Sequence, residues 1–182
     1  MMNRNSGILL HITSLPSPYG VGNLGKAAFD FVDFLKNAGQ SYWQILPICP
    51  PGYGDSPYQA FSTFAGNPYL IDLEELIENG WLTEEECENT DWGGSKSYVD
   101  YEKMYQGRFP LLRKAYHNSH IAENAEFIAF CEENDWWLSD YALFMAIKDS
   151  QGGASFLEWD APLKLREPEA IRRCRHELSD EI

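Results

Sequence analysis

Residues 52–70 hold the side chains with the clearest potential for chemistry. One carboxylate, Asp55, stands among hydroxyl and amide groups and five aromatic rings, which are Tyr53, Tyr58, Phe61, Phe64 and Tyr69. Sugars are bound by directional hydrogen bonds to their hydroxyls and by aromatic packing on their C–H faces, so this mixture favours a site for a neutral sugar. The alternative is a surface loop whose rings only fill the core.

Few single residues have catalytic potential. Asp55 can either accept hydrogen bonds from sugar hydroxyls or cap a turn. Ser56 lacks the G-x-S-x-G surroundings of a hydrolase nucleophile. His11 lies in an apolar run, where a lone histidine is more typical of a hydrogen-bonded core residue than of a catalytic base. Trp136 and Trp159 lie in helical patterns, which favours the core over a sugar platform.

The first part of the chain has the pattern of a parallel strand-helix-strand unit. An apolar run at 7–13 predicts a buried strand, helical spacing predicts a helix over 24–38 that ends at Gly39, and 42–47 predicts a second strand. Loops that follow parallel strands lie at the same end of the sheet. We therefore expect residues 14–22 and the aromatic segment to face one crevice.

A glycine pattern before the predicted helix raises an alternative. Residues 20–25 match the G-x-G-x-x-G sequence of dinucleotide-binding proteins. In those proteins the glycine turn leaves the strand directly, and an acidic residue follows about twenty positions later. Here residues 14–19 intervene and Ile45 stands near the acidic position. The glycines therefore favour a tight loop-to-helix turn.

From residue 72 onward the pattern becomes helical. Asp72 and Gly80 bracket a predicted helix over 73–79, and Thr83 to Glu86 has the spacing of a capping box. Further helices are predicted over 101–116 with an interruption at Pro110, 124–133, 138–148 and 167–182. The apolar stripe of the last helix continues to Ile182, so we expect a truncated piece of a longer polypeptide.

Composition narrows the range of partners. The chain has 28 acidic and 14 basic residues, a formal net charge of -14, and so negative a surface repels nucleic acids and anionic membranes. The four cysteines lack metal-binding spacing, and no apolar stretch is long enough for a signal peptide or membrane span. We therefore expect a cytoplasmic α/β protein without metal, nucleic-acid or membrane partners.

Four stretches of sequence form a series that is highly specific. They read GILLHITSLPSPYG at 7–20, YWQILP at 42–47, and GYGDSPY followed by FAGNPYLI between 52 and 71. This series resembles the opening of the 4-alpha-glucanotransferases, the amylomaltase or disproportionating-enzyme family. The resemblance implies that residues 1–73 form the first two βα units of a (β/α)8 TIM barrel of the alpha-amylase clan. Residues 74–182 would form a helical insertion subdomain.

The resemblance also implies a reaction and a set of substrate contacts. The reaction is retaining transfer of alpha-1,4-glucan segments between maltooligosaccharides, without metal or organic cofactor. Ser56 and Tyr58 would line the donor subsites, with the tyrosine ring packed on the sugar beside the cleaved bond. Looser candidates, which would contact the substrate indirectly or shape the loop, are Asp55, Gln44 and Asn67. Tyr53 would lie near an additional glucan-contact surface.

The carboxylates that perform this reaction lie outside the matching stretches. Family members are much longer, and their catalytic carboxylates come from later barrel strands. Retaining chemistry needs two carboxyl groups about 5–5.5 Å apart, and a barrel needs eight strands and about 250 residues. We therefore predict no catalytic residue here, no activity of the chain alone, and association with the remaining part of the barrel. The alternative is a non-catalytic alpha-glucan-binding module.

Overall fold

The computed structural model describes residues 4–52, 54–95 and 97–182. The chain divides into two compact units, Met1–Ile121 and Ala122–Ile182. This division does not test the predicted boundary near residue 73, which concerns the end of the βα units.

A parallel strand-helix-strand unit opens the first compact unit, as the sequence predicts. Strand β1 (Gly7–Leu9) pairs in parallel with β2 (Tyr42–Gln44), and helix α1 (Lys26–Asn37) connects them. The indole of Trp43 on β2 packs edge-on against Phe31 of α1, with ring centroids 5.0 Å apart. This contact fixes the helix against the sheet.

The two strands are shorter than predicted, and the prediction that they are buried is wrong, because in each strand the outer two residues are exposed and the middle one is half-buried. The ladder ends where the Leu10 N–H donates to the Gln44 carbonyl at 3.0 Å, and a 3-10 helix begins at once over Ile12–Ser14. The Ser14 N–H donates to the carbonyl of His11, so the backbone groups expected to extend the strand satisfy a turn instead. The buried side chains of Ile12 and Leu15 still join the core under the sheet.

Helix α1 lies within its predicted bounds, starting two residues later and ending one residue earlier, but its apolar stripe is only partly covered. Ala28 and Leu35 are buried, and Gly39 adopts φ 68°, the left-handed conformation expected after the last turn. Phe34, which the spacing assigned to the stripe, is 56 % exposed, and Phe29 is 71 % exposed. The described residues bury one side of this helix and leave a second apolar side open.

Three helices complete the first unit: α2 (Leu73–Glu78), α3 (Glu84–Glu88) and α4 (Tyr101–Ser119). Asp72 caps α2 by accepting from the Glu74 N–H, and Thr83 forms the predicted capping box with Glu86. Helix α4 runs through Pro110 without the predicted interruption. The helices bury one shared core, formed by Tyr19, Leu73, Leu82, Cys87, Leu111 and Ala115.

The second unit consists of α5 (Ala125–Ser150), α6 (Ala161–Lys164) and α7 (Pro168–Glu177). The two helices predicted over 124–133 and 138–148 are one, because the intervening residues contain no Gly or Pro. Asn134 there donates its amide to the Phe130 carbonyl of the same helix. The core of this unit contains Leu143, Ile147, Trp159, Leu163, Ala170 and Cys174.

The last helix ends earlier than its apolar stripe predicts. Leu178 is the C-cap of α7, and its N–H still donates to the Cys174 carbonyl. The N–H groups of Glu181 and Ile182 then both donate to the Leu178 carbonyl, which closes a turn. Ile182 is 40 % exposed, so the stripe does not continue as one buried helical face to that residue.

Two further features bear on the partners expected from composition. No helix in the described part of the chain is long and apolar enough to cross a bilayer. Residues 4–52, 54–95 and 97–182 contain no cluster of three His, Cys, Asp or Glu side chains suited to a metal ion. Cys49, Cys87, Cys131 and Cys174 are free thiols.

Candidate functional site

The chain that leaves β2 doubles back on itself between residues 48 and 70, and we call this segment the aromatic loop. Its two legs are joined by backbone hydrogen bonds from Asn67 to Ile48 at 2.9 Å and from Phe61 to Pro50 at 3.3 Å. An isolated antiparallel bridge between Pro51 and Ala60 also joins the two legs. The aromatic loop is therefore a closed ribbon. Its stem is formed by the two paired legs, residues 48–51 and 60–70, and its tip is the chain that joins them.

The tip is a tight turn over residues 55–58. Asp55 has φ 54°, a left-handed conformation that aspartate tolerates better than most residues, and its N–H donates to the Gly52 carbonyl at 3.2 Å. The Ser56 carbonyl accepts from the Gln59 N–H, and the Ser56 Oγ accepts from the Tyr58 N–H at 3.4 Å. One turn thus brings together three of the predicted site residues.

These three side chains differ in exposure. The Tyr58 side chain is 72 % exposed, whereas Asp55 and Ser56 are half-buried. The tyrosine ring is therefore open to a ligand, and the Ser56 hydroxyl lies beside the Tyr58 backbone. Chemically, the turn offers a flat apolar surface with hydrogen-bonding groups next to it, which suits a pyranose ring.

The Asp55 carboxyl lies near a cluster of tyrosines. Burial raises the pKa of Asp55, and the Asp55 charge in turn adds to the effect of burial in raising the pKa of Tyr69 to about 12 and that of Tyr101 above its ordinary value. The Tyr69 ring lies 5.9 Å from the rings of both Tyr101 and Phe109. This aromatic cluster packs the end of the loop, at Tyr69, against helix α4.

Asn67 shapes the stem of the loop. Its Oδ1 accepts from the Tyr69 N–H at 2.9 Å, which caps the 3-10 helix Pro68–Leu70. The Asn67 backbone N–H also holds the other leg at Ile48. The side chain therefore has a local structural role, which is one of the two roles that the sequence left open.

One predicted site residue that the structure describes lies outside this arrangement. Gln44 lies on β2 with an exposed side chain, and among the described residues no hydrogen bond links it to the turn over 55–58. Tyr53 lies outside the described residues.

His11 anchors the exit of β2. Its Nδ1 accepts from the Leu46 N–H at 3.2 Å, so the ring is neutral with its proton on Nε2. Burial lowers the pKa of His11, which favours this neutral form. The structure confirms that His11 is hydrogen-bonded, but its side chain is half-buried and is not part of the core. Of the tryptophans, Trp159 is buried as predicted, but the core prediction for Trp136 is wrong, because its side chain is 69 % exposed.

The glycine-rich segment before α1 is occupied by protein groups. Asn23 donates its amide to Asp72 Oδ1 at 2.9 Å and accepts the Gly25 N–H on its own Oδ1. A Cβ on Gly25 would collide with the Asp72 carboxylate, which therefore lies against the N-terminus of α1. A dinucleotide would place its phosphates at that terminus. The arrangement contradicts a dinucleotide site and supports the tight turn.

The same segment contacts the stem of the aromatic loop. The Leu24 N–H donates to the Leu70 carbonyl at 3.0 Å, and the Tyr19 hydroxyl donates to Glu74 at 2.9 Å. The loop that follows β1 is thus hydrogen-bonded to residues 70–74, where the aromatic loop ends.

One residue of this region was not predicted from the sequence. Arg108 on α4 is completely buried, and its Nε and Nη2 donate to the carbonyls of Pro68 and Ile71. Burial lowers the pKa of Arg108 to about 10, against the opposing effect of Asp72. A signal was present, because Arg108 interrupts the helical spacing of the otherwise apolar buried residues Met104, Leu111 and Ala115.

The turn over 55–58 contains one carboxylate. Asp55 is the only acidic residue between positions 49 and 71. Retaining cleavage of a glycosidic bond needs two carboxyl groups about 5–5.5 Å apart. The aromatic loop therefore does not hold the pair of groups that cleaves a glycosidic bond.

Comparison with known proteins identifies the family. The sequence model of the 4-alpha-glucanotransferase family matches residues 10–182. A 4-alpha-glucanotransferase of Thermus thermophilus is 49% identical over 183 residues, which cover 98% of this chain and 36% of the relative. One from Streptococcus pneumoniae TIGR4 is 45% identical over 184 residues, with 100% of this chain and 36% of the relative covered.

A solved structure agrees with the sequence relatives. The amylomaltase of Streptococcus agalactiae in complex with acarbose superposes with a TM-score of 0.91 at 41% identity, covering 98% of this chain and 37% of that chain. The observed fold is therefore that of part of an amylomaltase. The chain spans about 36% of the length of the curated relatives cited above. With a family match over residues 10–182, this chain belongs to the 4-alpha-glucanotransferase family.

Proposed function

We propose that the chain supplies donor-substrate contacts to a 4-alpha-glucanotransferase that transfers alpha-1,4-glucan segments between maltooligosaccharides by retaining double displacement. The single observation that carries this proposal is the exposed Tyr58 ring above the polar turn that begins at Asp55. A structural neighbour with 41% identity was solved with acarbose, which supports a glucan-like ligand.

The residues of the turn have separate roles in this proposal. Tyr58 packs its ring on a sugar face. Ser56 accepts the Tyr58 N–H on its Oγ, which leaves the hydroxyl proton to donate to a sugar oxygen. Asp55 accepts a hydrogen bond from a sugar hydroxyl. Tyr53 provides an additional glucan contact, and Gln44 is a further polar contact near the same end of the sheet.

In the same proposal, residues 1–73 are the first two βα units of a barrel and residues 74–182 are a helical insertion subdomain. The parallel pairing of β1 with β2 around α1 supports this assignment. The catalytic carboxylates and the other strands come from the remaining part of the barrel. Exposed apolar residues of the βα units, including Leu9 at 59 % and Phe29 at 71 %, offer a surface for it.

The protein works in the cytoplasm, without metal or organic cofactor, and the chain alone is inactive. Its acidic surface supports a neutral glucan partner over a nucleic acid or an anionic membrane.

Calorimetric titration of the chain with maltoheptaose tests the binding role. We expect saturable binding that Tyr58→Ala weakens about tenfold or more, equivalent to about 1.4 kcal/mol. The control is Tyr116→Ala, which removes a tyrosine that is 49 % exposed on α4. Equal losses in both variants, or no binding by the unaltered chain, would contradict the proposal.

A second candidate is a non-catalytic alpha-glucan-binding module, which the single carboxylate of the aromatic loop favours. The two are separated by mixing the chain with the part of the Thermus thermophilus relative that lies beyond the matched region. Conversion of maltotriose to longer oligomers by the mixture, but not by the chain alone, supports the transferase. Glucan binding without any recovered conversion supports the module.

A further inference from the structure

A single side chain from helix α4 holds the stem of the aromatic loop. The Arg108 Nε donates to the Pro68 carbonyl at 3.4 Å, and its Nη2 donates to the Ile71 carbonyl. Neither carbonyl lies on the same element as Arg108, which is 40 positions from Pro68 in sequence. The guanidinium therefore ties the end of the loop to the helical part of the chain.

Packing alone does not explain why position 108 is an arginine. Its side chain is 0 % exposed, and its Nη1 has no hydrogen-bond partner among the described residues. A buried charge whose hydrogen bonds are not all satisfied is unfavourable. An apolar residue of similar volume at the same position is often neutral for stability or stabilising. Met104 and Leu111, one turn away on either side, show that the face accepts apolar residues. The gain from an arginine therefore lies in the two carbonyls that it holds.

Those carbonyls belong to the stretch that fixes both legs of the aromatic loop. Asn67, which precedes Pro68, bonds to Ile48 on the other leg and caps the Tyr69 N–H. Leu70, between the two held carbonyls, accepts from the Leu24 N–H of the loop after β1. A shift of residues 68–71 would therefore move the stem of the loop and its link to the neighbouring loop together.

Tyr69 anchors this stretch in the core of the first unit. Its side chain is 6 % exposed and lies in a core cluster with Val21 and Met104. The ring also packs against Phe109, the residue after Arg108, at 5.9 Å. From this stretch the two legs of the loop, held together by the hydrogen bonds from Asn67 to Ile48 and from Phe61 to Pro50, lead to the tip.

We infer that Arg108 is a positioning residue for the turn over 55–58, acting through the carbonyls of Pro68 and Ile71 that fix the stem of the aromatic loop. The inference rests on the proposed function, because the turn is taken as the glucan contact. Arg108 itself touches no sugar, and its effect on binding passes entirely through the backbone of the loop.

The experiment compares three variants of the chain by hydrogen exchange and by titration with maltoheptaose. Arg108→Met fills the position with an apolar side chain and leaves both carbonyls without the arginine donor. Arg108→Lys keeps one positively charged donor group. Leu111→Ala, on the same helix but in the core with Tyr19 and Leu73, is a control for general loss of stability. Exchange rates are compared at equal free energy of unfolding, set by urea.

We expect Arg108→Met to speed amide exchange in residues 48–70 about tenfold relative to the rest of the chain and to weaken maltoheptaose binding about tenfold. Arg108→Lys should fall between Met and the unaltered chain, and Leu111→Ala should change neither quantity selectively. If Arg108→Met does not fold, Arg108→Lys alone tests the inference, by the same measurement of amide exchange in residues 48–70.

Two results separate the failure of the inference from the failure of the proposed function. Uniform acceleration across the chain, or a binding loss no greater than that of Leu111→Ala, overturns the positioning role. If the unaltered chain does not bind maltoheptaose at all, the proposed function fails, and selective exchange in residues 48–70 still decides whether Arg108 positions the loop.

Discussion

Asn67 shows how one residue can have a structural and a binding role that need separate tests. Its Oδ1 caps the Tyr69 N–H and its backbone holds Ile48, so the stem of the aromatic loop depends on it. Its side-chain amide N–H groups remain available as donors for a ligand. A substitution that removes the whole side chain would confound these two effects.

Replacing Asn67 by aspartate separates them. Aspartate keeps a cap acceptor of similar strength, so Asn67→Asp should change the free energy of unfolding by less than about 0.5 kcal/mol, whereas Asn67→Ala should cost about 1 kcal/mol. Urea denaturation measures both. If Asn67→Asp is stable and binds maltoheptaose normally, Asn67 only shapes the loop. Selective loss of binding would instead assign its amide to the sugar.

At this scale, the sequence indicated the residues of the tip and a loop-shaping role for Asn67, but it did not indicate the contact of Arg108 with the stem. Asp55, Ser56 and Tyr58 are close in sequence, so a local turn is enough to bring them together. Arg108 reaches the loop from 40 positions away, and that contact depends on how α4 packs. A charged residue within a buried helical stripe marks such a position, but the stripe does not reveal which carbonyls it meets.

At the scale of elements, local capping rules were reliable. Asp72, Thr83 and Gly39 stand where the sequence predicts the start or end of a helix, because each satisfies backbone groups within a few residues. Strand length and helix continuity were less predictable. The strand pattern at 7–13 could not reveal that the backbone beyond Leu10 would turn into a 3-10 helix.

His11 links the chain after β1 to the chain after β2 through a hydrogen bond that depends on pH. Its pKa is lowered from the ordinary value of 6.5, so the unfolded chain takes up a proton first as the pH falls. The stability that neutral His11 supports is fully present above 6.5 and is lost as the pH falls through the folded-state pKa. Protonation of Nδ1 also removes the acceptor for the Leu46 N–H.

Replacement of His11 by asparagine should flatten this part of the pH profile, because the amide oxygen can accept the Leu46 N–H without titrating. The measurement is the urea midpoint at about pH 5.5 and about pH 7.5. His176→Asn, at an exposed position on α7, should leave the difference between the two pH values unchanged. A His11→Asn variant with the same pH dependence as the unaltered chain would rule out this coupling.

At the scale of the whole molecule, charge is the dominant feature. A formal net charge of -14 makes the compact state repel itself, and dissolved salt screens this repulsion. The few exposed ion pairs, such as Lys26 with Asp30 at 2.5 Å, offset little of it.

Salt should therefore stabilise the fold. Raising NaCl from about 0.02 M to about 0.5 M should raise the thermal midpoint by a few degrees, because repulsion is screened more than the weak surface pairs are lost. KCl at equal ionic strength should act alike, which separates screening from ion-specific effects. A midpoint that falls with added salt would show that the ion pairs outweigh the repulsion.

Screening by salt has a second effect, which follows from the open edges of the two-stranded sheet. In the described part of the chain, β1 and β2 pair only with each other, so each strand has one edge whose N–H and C=O groups can pair with a strand from another molecule. Negative charge keeps such molecules apart in dilute buffer. Salt that strengthens the individual fold will therefore also favour self-association through these edges, and the ionic strength that gives the highest melting temperature will not be the one that keeps the chain monomeric.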